Sequence, residues 1–122
     1  MPLELGIFLG AKKYGGAKHA TKCCLILDRE PFRYQIFCSD IAGQDIRAHR
    51  NDAGEAIHAV RNWLRITHPG LTIPGAQRMK ARYLEFRREL PAMAKRANLA
   101  VPELSFLDYR IQVVSWLDEN SW

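Results

Sequence analysis

A carboxylate in the first turn of an otherwise apolar helix is the residue of this chain whose chemistry first demands an explanation. Glu4 stands among Leu3, Leu5, Ile7, Phe8 and Leu9. Burying an isolated charge is costly, whereas the positive end of a helix stabilises a carboxylate by about 0.3–1 kcal/mol. Glu4 therefore reads either as a complement to the helix dipole or as a carboxyl whose pKa is raised beside an apolar face and which is aimed at a ligand. Asp28 closes the apolar run Cys23-Cys24-Leu25-Ile26-Leu27. Open α/β sheets place their ligand crevice at that end of a strand, so Asp28 is a candidate to line it, or else it caps the following turn. Asp40 has the same two readings. Phe32 and Tyr34 have the shape to stack a base, although packing into the core is the more ordinary use of both.

Other chemistries lack their residues. Gly15-Gly16-Ala17-Lys18 has no strand before it, which a phosphate-binding loop requires. No serine, histidine and aspartate or cysteine and histidine stand in a recognisable nucleophilic context. There is no C-x-x-C, and His19, His49, His58 and His68 show no ligand spacing, so no metal site is expected. Cys23 and Cys24 would point to opposite faces of a strand and Cys38 is alone, which suggests reduced thiols rather than a disulfide framework. The net charge of +5 raises the question of an acidic partner. Much of the excess lies in residues 78–96, where basic side chains alternate with apolar ones as on the solvated face of an amphipathic helix. The longest apolar runs fall far short of the roughly 20 residues that span a bilayer. With no secretory leader pattern at the start, a cytoplasmic protein without membrane contact is expected.

The elements that must position these residues follow from periodicity. Residues 1–14 read as a helix with almost no polar side, and Gly6 and Gly10 share one face of it, where close approach of another backbone would offset their poor helix propensity. Residues 17–21 read as a polar loop. Residues 22–28 have the length and character of a strand covered on both faces, as in a parallel sheet. A short helical turn follows from Glu30-Pro31, then a second strand over 45–49, giving the βαβ theme. Asp52 with Glu55 caps a helix ending near Thr67. Ala76, Met79, Tyr83, Phe86, Leu90, Met93 and Ala97 form the seam of a further helix, in which Pro91 predicts a kink or a break. Ser105 with Asp108 caps a last helix carrying Leu107, Ile111, Val114 and Leu117. The expected fold class is α/β, a partial Rossmann-like parallel sheet of few strands with a helix-rich C-terminal part. One domain or fragment of 122 residues is expected, with a βα core over 1–50 and a helical extension over 51–122.

The segment Pro2-Leu3-Glu4-Leu5-Gly6-Ile7-Phe8-Leu9-Gly10, a basic loop, Cys23-Cys24-Leu25-Ile26-Leu27 and then Ser39-Asp40-Ile41-Ala42-Gly43 resembles the later half of bacterial TIR-like predicted nucleotide-binding proteins. Related Rossmann-like enzymes, including TIR NAD hydrolases and nucleoside deoxyribosyltransferases, carry a catalytic glutamate in the comparable helix. The resemblance implies that Glu4 is catalytic, engaging the ribose beside the glycosidic bond as the base departs, and that NAD or a related nucleotide is the substrate rather than a tightly bound cofactor. It also implies a place in antiphage defence.

Such domains begin with strand and helix units whose loops hold the nucleotide, and residues 1–14 have apolar side chains to cover. The chain is therefore expected to be an internal-start product or a fragment, with a second copy, the missing segment or another chain packed on its first helix. Two alternatives stand beside the enzyme: a non-catalytic interaction or oligomerisation module, and a nucleic-acid-binding protein using the basic face of residues 78–96.

Overall fold

The computed structural model describes residues 2–36 and 45–121, and the chain divides into two compact units, Met1–Ala76 and Gln77–Trp122. The first opens with α1 (Pro2–Tyr14), for which Pro2 supplies a preset first-turn φ. The helix stops at glycine for a steric reason. The Gly15 N–H bonds the Ala11 carbonyl at 2.8 Å, and a β-carbon there would lie 2.4 Å from that same oxygen. Gly16 follows at φ 76°. Residues expected as a loop instead form the single-turn helix α2 (Ala17–Ala20), against which α1 packs. No neighbour among the described residues comes within 4 Å of a β-carbon built at Gly6 or Gly10, so the close approach expected on that face is not made.

β1 (Leu25–Asp28) and β2 (Asp45–Ala48) form a two-stranded parallel sheet in which Leu25 pairs with Asp45 and Asp28 with Ala48. Both strands are shorter than their sequence pattern suggests. Leu25, Ile26 and Leu27 are half-buried rather than covered on both faces, and Cys23 and Cys24 precede the strand, neither joined in a disulfide. A 3-10 turn (Arg33–Ile36) follows β1. After β2 comes α3 (Ala53–Thr67), capped by Asp52, whose carboxylate accepts the Glu55 N–H at 2.8 Å. Arg61 and Arg65 fasten the segment after α3 by donating to the carbonyls of Pro74 and Ile73 and of Pro69 and Leu71. The whole is a mixed, helix-rich α/β chain with a small parallel sheet.

The second unit is built on α4 (Ala76–Arg96) and α5 (Phe106–Glu119), joined through a short 3-10 turn (Val101–Glu103). Its core is Phe86, Leu90, Met93 and Trp116, with Val101, Leu104, Tyr109 and Val113 packed around it. The Phe86 ring meets Tyr109 and Trp116 edge to face, at 5.7 Å and 5.8 Å between ring centres. The Trp116 indole N–H is satisfied by Glu89 at 2.8 Å.

Pro91 neither breaks α4 nor starts a new helix: the helix is continuous from Ala76 to Arg96. Proline forfeits the bond to the carbonyl four residues back, here that of Arg87. Arg87 and Pro91 are both exposed, while Leu90, Met93 and Ala94 beside the proline are buried, so packing holds the helix through it. A second correction concerns Arg82, expected among the solvated side chains. It is half-buried, its guanidinium lies 4.7 Å from the centre of the Trp116 ring, and it donates to the Asn120 carbonyl. Arg78, Arg87, Arg88, Lys95 and Arg96 are exposed, as their spacing suggests.

Candidate functional site

The carboxyl ends of β1 and β2 gather most of the chemically distinctive features of the first unit. Parallel pairing sets both strand ends side by side, and the ladder runs on past them: the His49 N–H bonds the Asp28 carbonyl and the Arg50 N–H that of Arg29, each at 2.8 Å. The two loops that leave the sheet are thereby held against each other.

Asp28 is the last residue of β1, and its carboxylate Oδ1 accepts from Arg33 Nε at 2.8 Å and from the Arg29 backbone N–H at 2.6 Å. Its side chain retains only 12% exposure, whereas that of Arg33 retains 46%. Partial burial, the largest single influence, pushes the Asp28 pKa upward. The hydrogen bond from Arg33, the Arg29 N–H, the guanidinium charge and the Glu30 N–H together outweigh it and hold the carboxyl below its ordinary value. The group is thus an ionised acceptor at neutral pH, with a cation already beside it.

The backbone around it is strained. Among the described residues the non-glycine positions with positive φ are Phe32 (61°), Arg50 (47°), Asn51 (60°) and Asn98 (56°). All but Asn98 lie in the two loops at the strand ends. Asn tolerates this region, but a bulky side chain such as Phe does so at a cost of about 1–3 kcal/mol, which the surrounding structure must over-determine. Phe32 gains no burial from it. The ring is 68% exposed, so the expectation that it packs in the core is overturned. Tyr34 is half-buried. The same end of the unit presents the start of α3, where Asp52 N–H bonds the His49 carbonyl at 2.7 Å and turns the chain into the helix.

Glu4 is placed elsewhere. It lies exposed in the first turn of α1, so burial beside an apolar face is not what tunes it. Because α1 packs chiefly on α2, while β1 and β2 pair with each other and carry α3, Glu4 and Asp28 are not assembled into one cluster. Asp40 lies outside the described residues.

A concavity of the first unit, about 450 Å³, lies along the strands and α3. Its polar wall includes Arg47, Glu55, His58 and Asn62, with the His58 and Asn62 side chains in contact at 3.2 Å. Trp63 also lines it, with an indole N–H that is buried and has no acceptor among the described residues.

Sequence reasoning placed Asp28 at the end of its strand but missed its setting. The five-residue step from Asp28 to Arg33 carries no recognisable motif, and the left-handed backbone of Phe32 and Arg50 has no glycine to announce it. Only Asn51 offered such a signal. No family model, curated protein or solved structure matches this chain.

Proposed function

We propose that the first unit is a nucleotide-handling domain of the TIR-like, Rossmann-related kind, which takes NAD or a related nucleotide at the carboxyl ends of β1 and β2 and cleaves its N-glycosidic bond. The observation that carries this reading is the convergence, at one end of a parallel strand pair, of an ionised and cation-paired Asp28 with the strained, exposed Phe32 and the left-handed Arg50 and Asn51. Strain of that kind gathers at ligand clamps, and the crevice of an open α/β sheet lies at this end.

In this reading Asp28 accepts hydrogen bonds from ribose hydroxyls, Arg29 and Arg50 face the phosphates, and Phe32 offers a ring to the base. Cleavage adds water across the bond between the ribose anomeric carbon and the base nitrogen. The base leaves with the bonding electron pair, and a carboxylate stabilises the positive charge that develops on the sugar. On the resemblance that carboxylate is Glu4, which lies on α1 apart from Asp28, so its assignment rests on the resemblance alone and is tested separately from the binding site.

Calorimetric titration of the whole chain with NAD and with ADP-ribose tests the binding step, and release of free base tests the chemistry. Binding is expected to weaken at least about tenfold, equivalent to about 1.4 kcal/mol, in Asp28→Asn and in Phe32→Ala. Glu4→Gln should retain binding and lose cleavage. If neither ligand binds at millimolar concentration, the site is wrongly placed; a fully active Glu4→Gln protein removes the catalytic assignment alone.

A further inference from the structure

The concavity along the strands and α3 carries positive charge that no neighbouring carboxylate cancels. Leu27 of β1 pairs with Arg47 of β2, so Leu25, two residues before Leu27, shares a face of the sheet with Arg47. Glu55, His58, Ala59 and Asn62 recur at steps of three, one and three, which sets them on one stripe of α3. Both sets line the same space of about 450 Å³. That is within the range of about 300–1,000 Å³ in which small molecules are held.

Arg47, Arg61 and Arg65 bring three positive charges to this space, and Glu55 is the acidic residue among its described lining residues. Arg61 donates to the Pro74 and Ile73 carbonyls, and Arg65 to those of Pro69 and Leu71. A carbonyl satisfies an N–H without cancelling the charge, and no acidic side chain among the described residues forms an ion pair with any of the three arginines. A cleft with an excess of one sign focuses its field on a ligand of the other. The polar wall is also oriented. Arg61 can only donate, so the Asn62 amide oxygen turns to it at 3.2 Å, and the Asn62 amide N–H donates to His58 Nε2 at 3.2 Å. The His58 hydrogen is thereby placed on Nδ1. The Trp63 indole N–H in the same wall is buried and unpaired, and such a donor is normally completed by water, an ion or a ligand.

We propose that this concavity binds a small organic anion, a carboxylate or phosphate head carried on an apolar body. Arg47, exposed and without an acceptor among the described residues, takes the head, and the charges of Arg61 and Arg65 add to its hold. Leu25, Ala59 and the Trp63 ring take the body. Asp28, Phe32, Arg50 and Asn51 do not line the space, so the inference is independent of the nucleotide reading.

NMR of the indole N–H signals of the whole chain tests it, with phenylacetate, phenyl phosphate and neutral phenylacetamide as probes. These carry neither ribose nor pyrophosphate, so their failure and the failure of NAD to bind are read separately. At least one anion is expected to shift the Trp63 signal, assigned with Trp63→Phe, at a Kd below about 1 mM. The Trp116 signal should stay in place, because Glu89 already holds its N–H. Phenylacetamide should bind at least about tenfold more weakly than that anion, and Arg47→Gln should weaken the anion at least about fivefold while leaving the amide unchanged. The tighter of the two anions identifies the head group. A Trp63 signal that neither anion moves up to about 10 mM, an amide that binds as well as the anions, or an anion affinity indifferent to Arg47→Gln would each overturn the proposal.

Discussion

The two units of this chain spend their sequence differently. Every buried apolar residue identified, Phe86, Leu90, Met93, Ala94 and Trp116, belongs to the second unit, where two helices close over an aromatic cluster. The first unit holds its parallel strands half-buried and concentrates its distinctive features in loops: a cation-paired carboxylate, left-handed backbone and an exposed aromatic ring. Dense packing and local strain are therefore found in different places. Ligand-binding segments are drawn from the less stable parts of a structure, because a site that must admit a ligand cannot be sealed by its own core. The second unit supplies order, and the first supplies the surface on which chemistry is proposed.

The largest effect that can break this comparison is truncation of the core. Leu90 is 1% exposed, so Leu90→Ala removes apolar burial and leaves a cavity, with an expected loss of about 2–5 kcal/mol in the second unit. Leu27→Ala in β1 removes a side chain that is only partly covered and should cost about 1–2 kcal/mol. Amide hydrogen exchange in both variants reads the two units separately. Loss of protection in Leu90→Ala should concentrate in α4 and α5. A loss spread equally over β1, β2 and α3 would mean that the units are not energetically distinct.

The second unit was also the more legible of the two in sequence. Its seam of Phe86, Leu90 and Met93, and the cap formed by Ser105 and Asp108, follow local rules of helical spacing and hydrogen bonding, and the structure keeps them. What escaped was long-range: Arg82 reads as solvated from its neighbours in sequence, yet it stacks on Trp116 from the other helix. Pro91 reads as a kink or a break, yet the helix runs on through it, because local propensity counts the lost bond and not the burial of Leu90, Met93 and Ala94 beside it. In the first unit the helix Pro2–Tyr14, the order of strands and the strand-end position of Asp28 were legible, since they rest on apolar runs and turn residues. The ion pair with Arg33 and the left-handed loops were not, because they are fixed by the pairing of two strand ends distant in sequence. The role of Glu4 was read from resemblance, and the structure places it exposed on α1 with its carboxyl pKa below, not above, the ordinary value.

A smaller effect sharpens the account of the second unit. Arg82 and Arg88 are both arginines of α4, but only Arg82 is half-buried, over Trp116 and bonded to the Asn120 carbonyl. Arg82→Gln should cost about 1–2 kcal/mol through the lost cation–π contact and packing. Arg88→Gln should stay within about 0.5 kcal/mol, as at other exposed positions. Urea denaturation of the two variants makes the comparison. Equal midpoints would mean that the Arg82 stack contributes nothing beyond an ordinary surface arginine.

The smallest effect concerns acid, and Asp28 in the first unit and Asp108 in the second are among the carboxylates that should sense it. Asp28 is held below its ordinary pKa in the manner described above. For Asp108 the lowering comes first from the Ser105 hydroxyl, which donates to Oδ2 at 2.6 Å, and then from the Ser105 backbone N–H at 3.0 Å, against a smaller opposing influence of burial. A carboxyl whose pKa is lower folded than unfolded binds fewer protons in the native state. Its contribution is therefore complete above the unfolded value of about 3.9 and disappears as the pH falls through that value toward the folded one. Stability should thus be flat in this respect near neutrality and decline below about pH 4, with Asp28→Asn removing that residue's own share in the first unit and Asp108→Asn its share in the second. Arg33, the partner of Asp28, is 46% exposed and Asp108 is only half-buried, so solvent screening keeps such contributions modest and the decline should loosen the Arg33 loop and the first turn of α5 rather than unfold either unit. Carbon-detected NMR titration of the two carboxyl groups gives the midpoints directly. Midpoints below about 3.9 at both sites are expected. A midpoint at or above that value for Asp28 would mean that burial outweighs Arg33 and the N–H donors, and only a midpoint raised close to neutrality would change the chemistry proposed for the first unit from acceptor to acid.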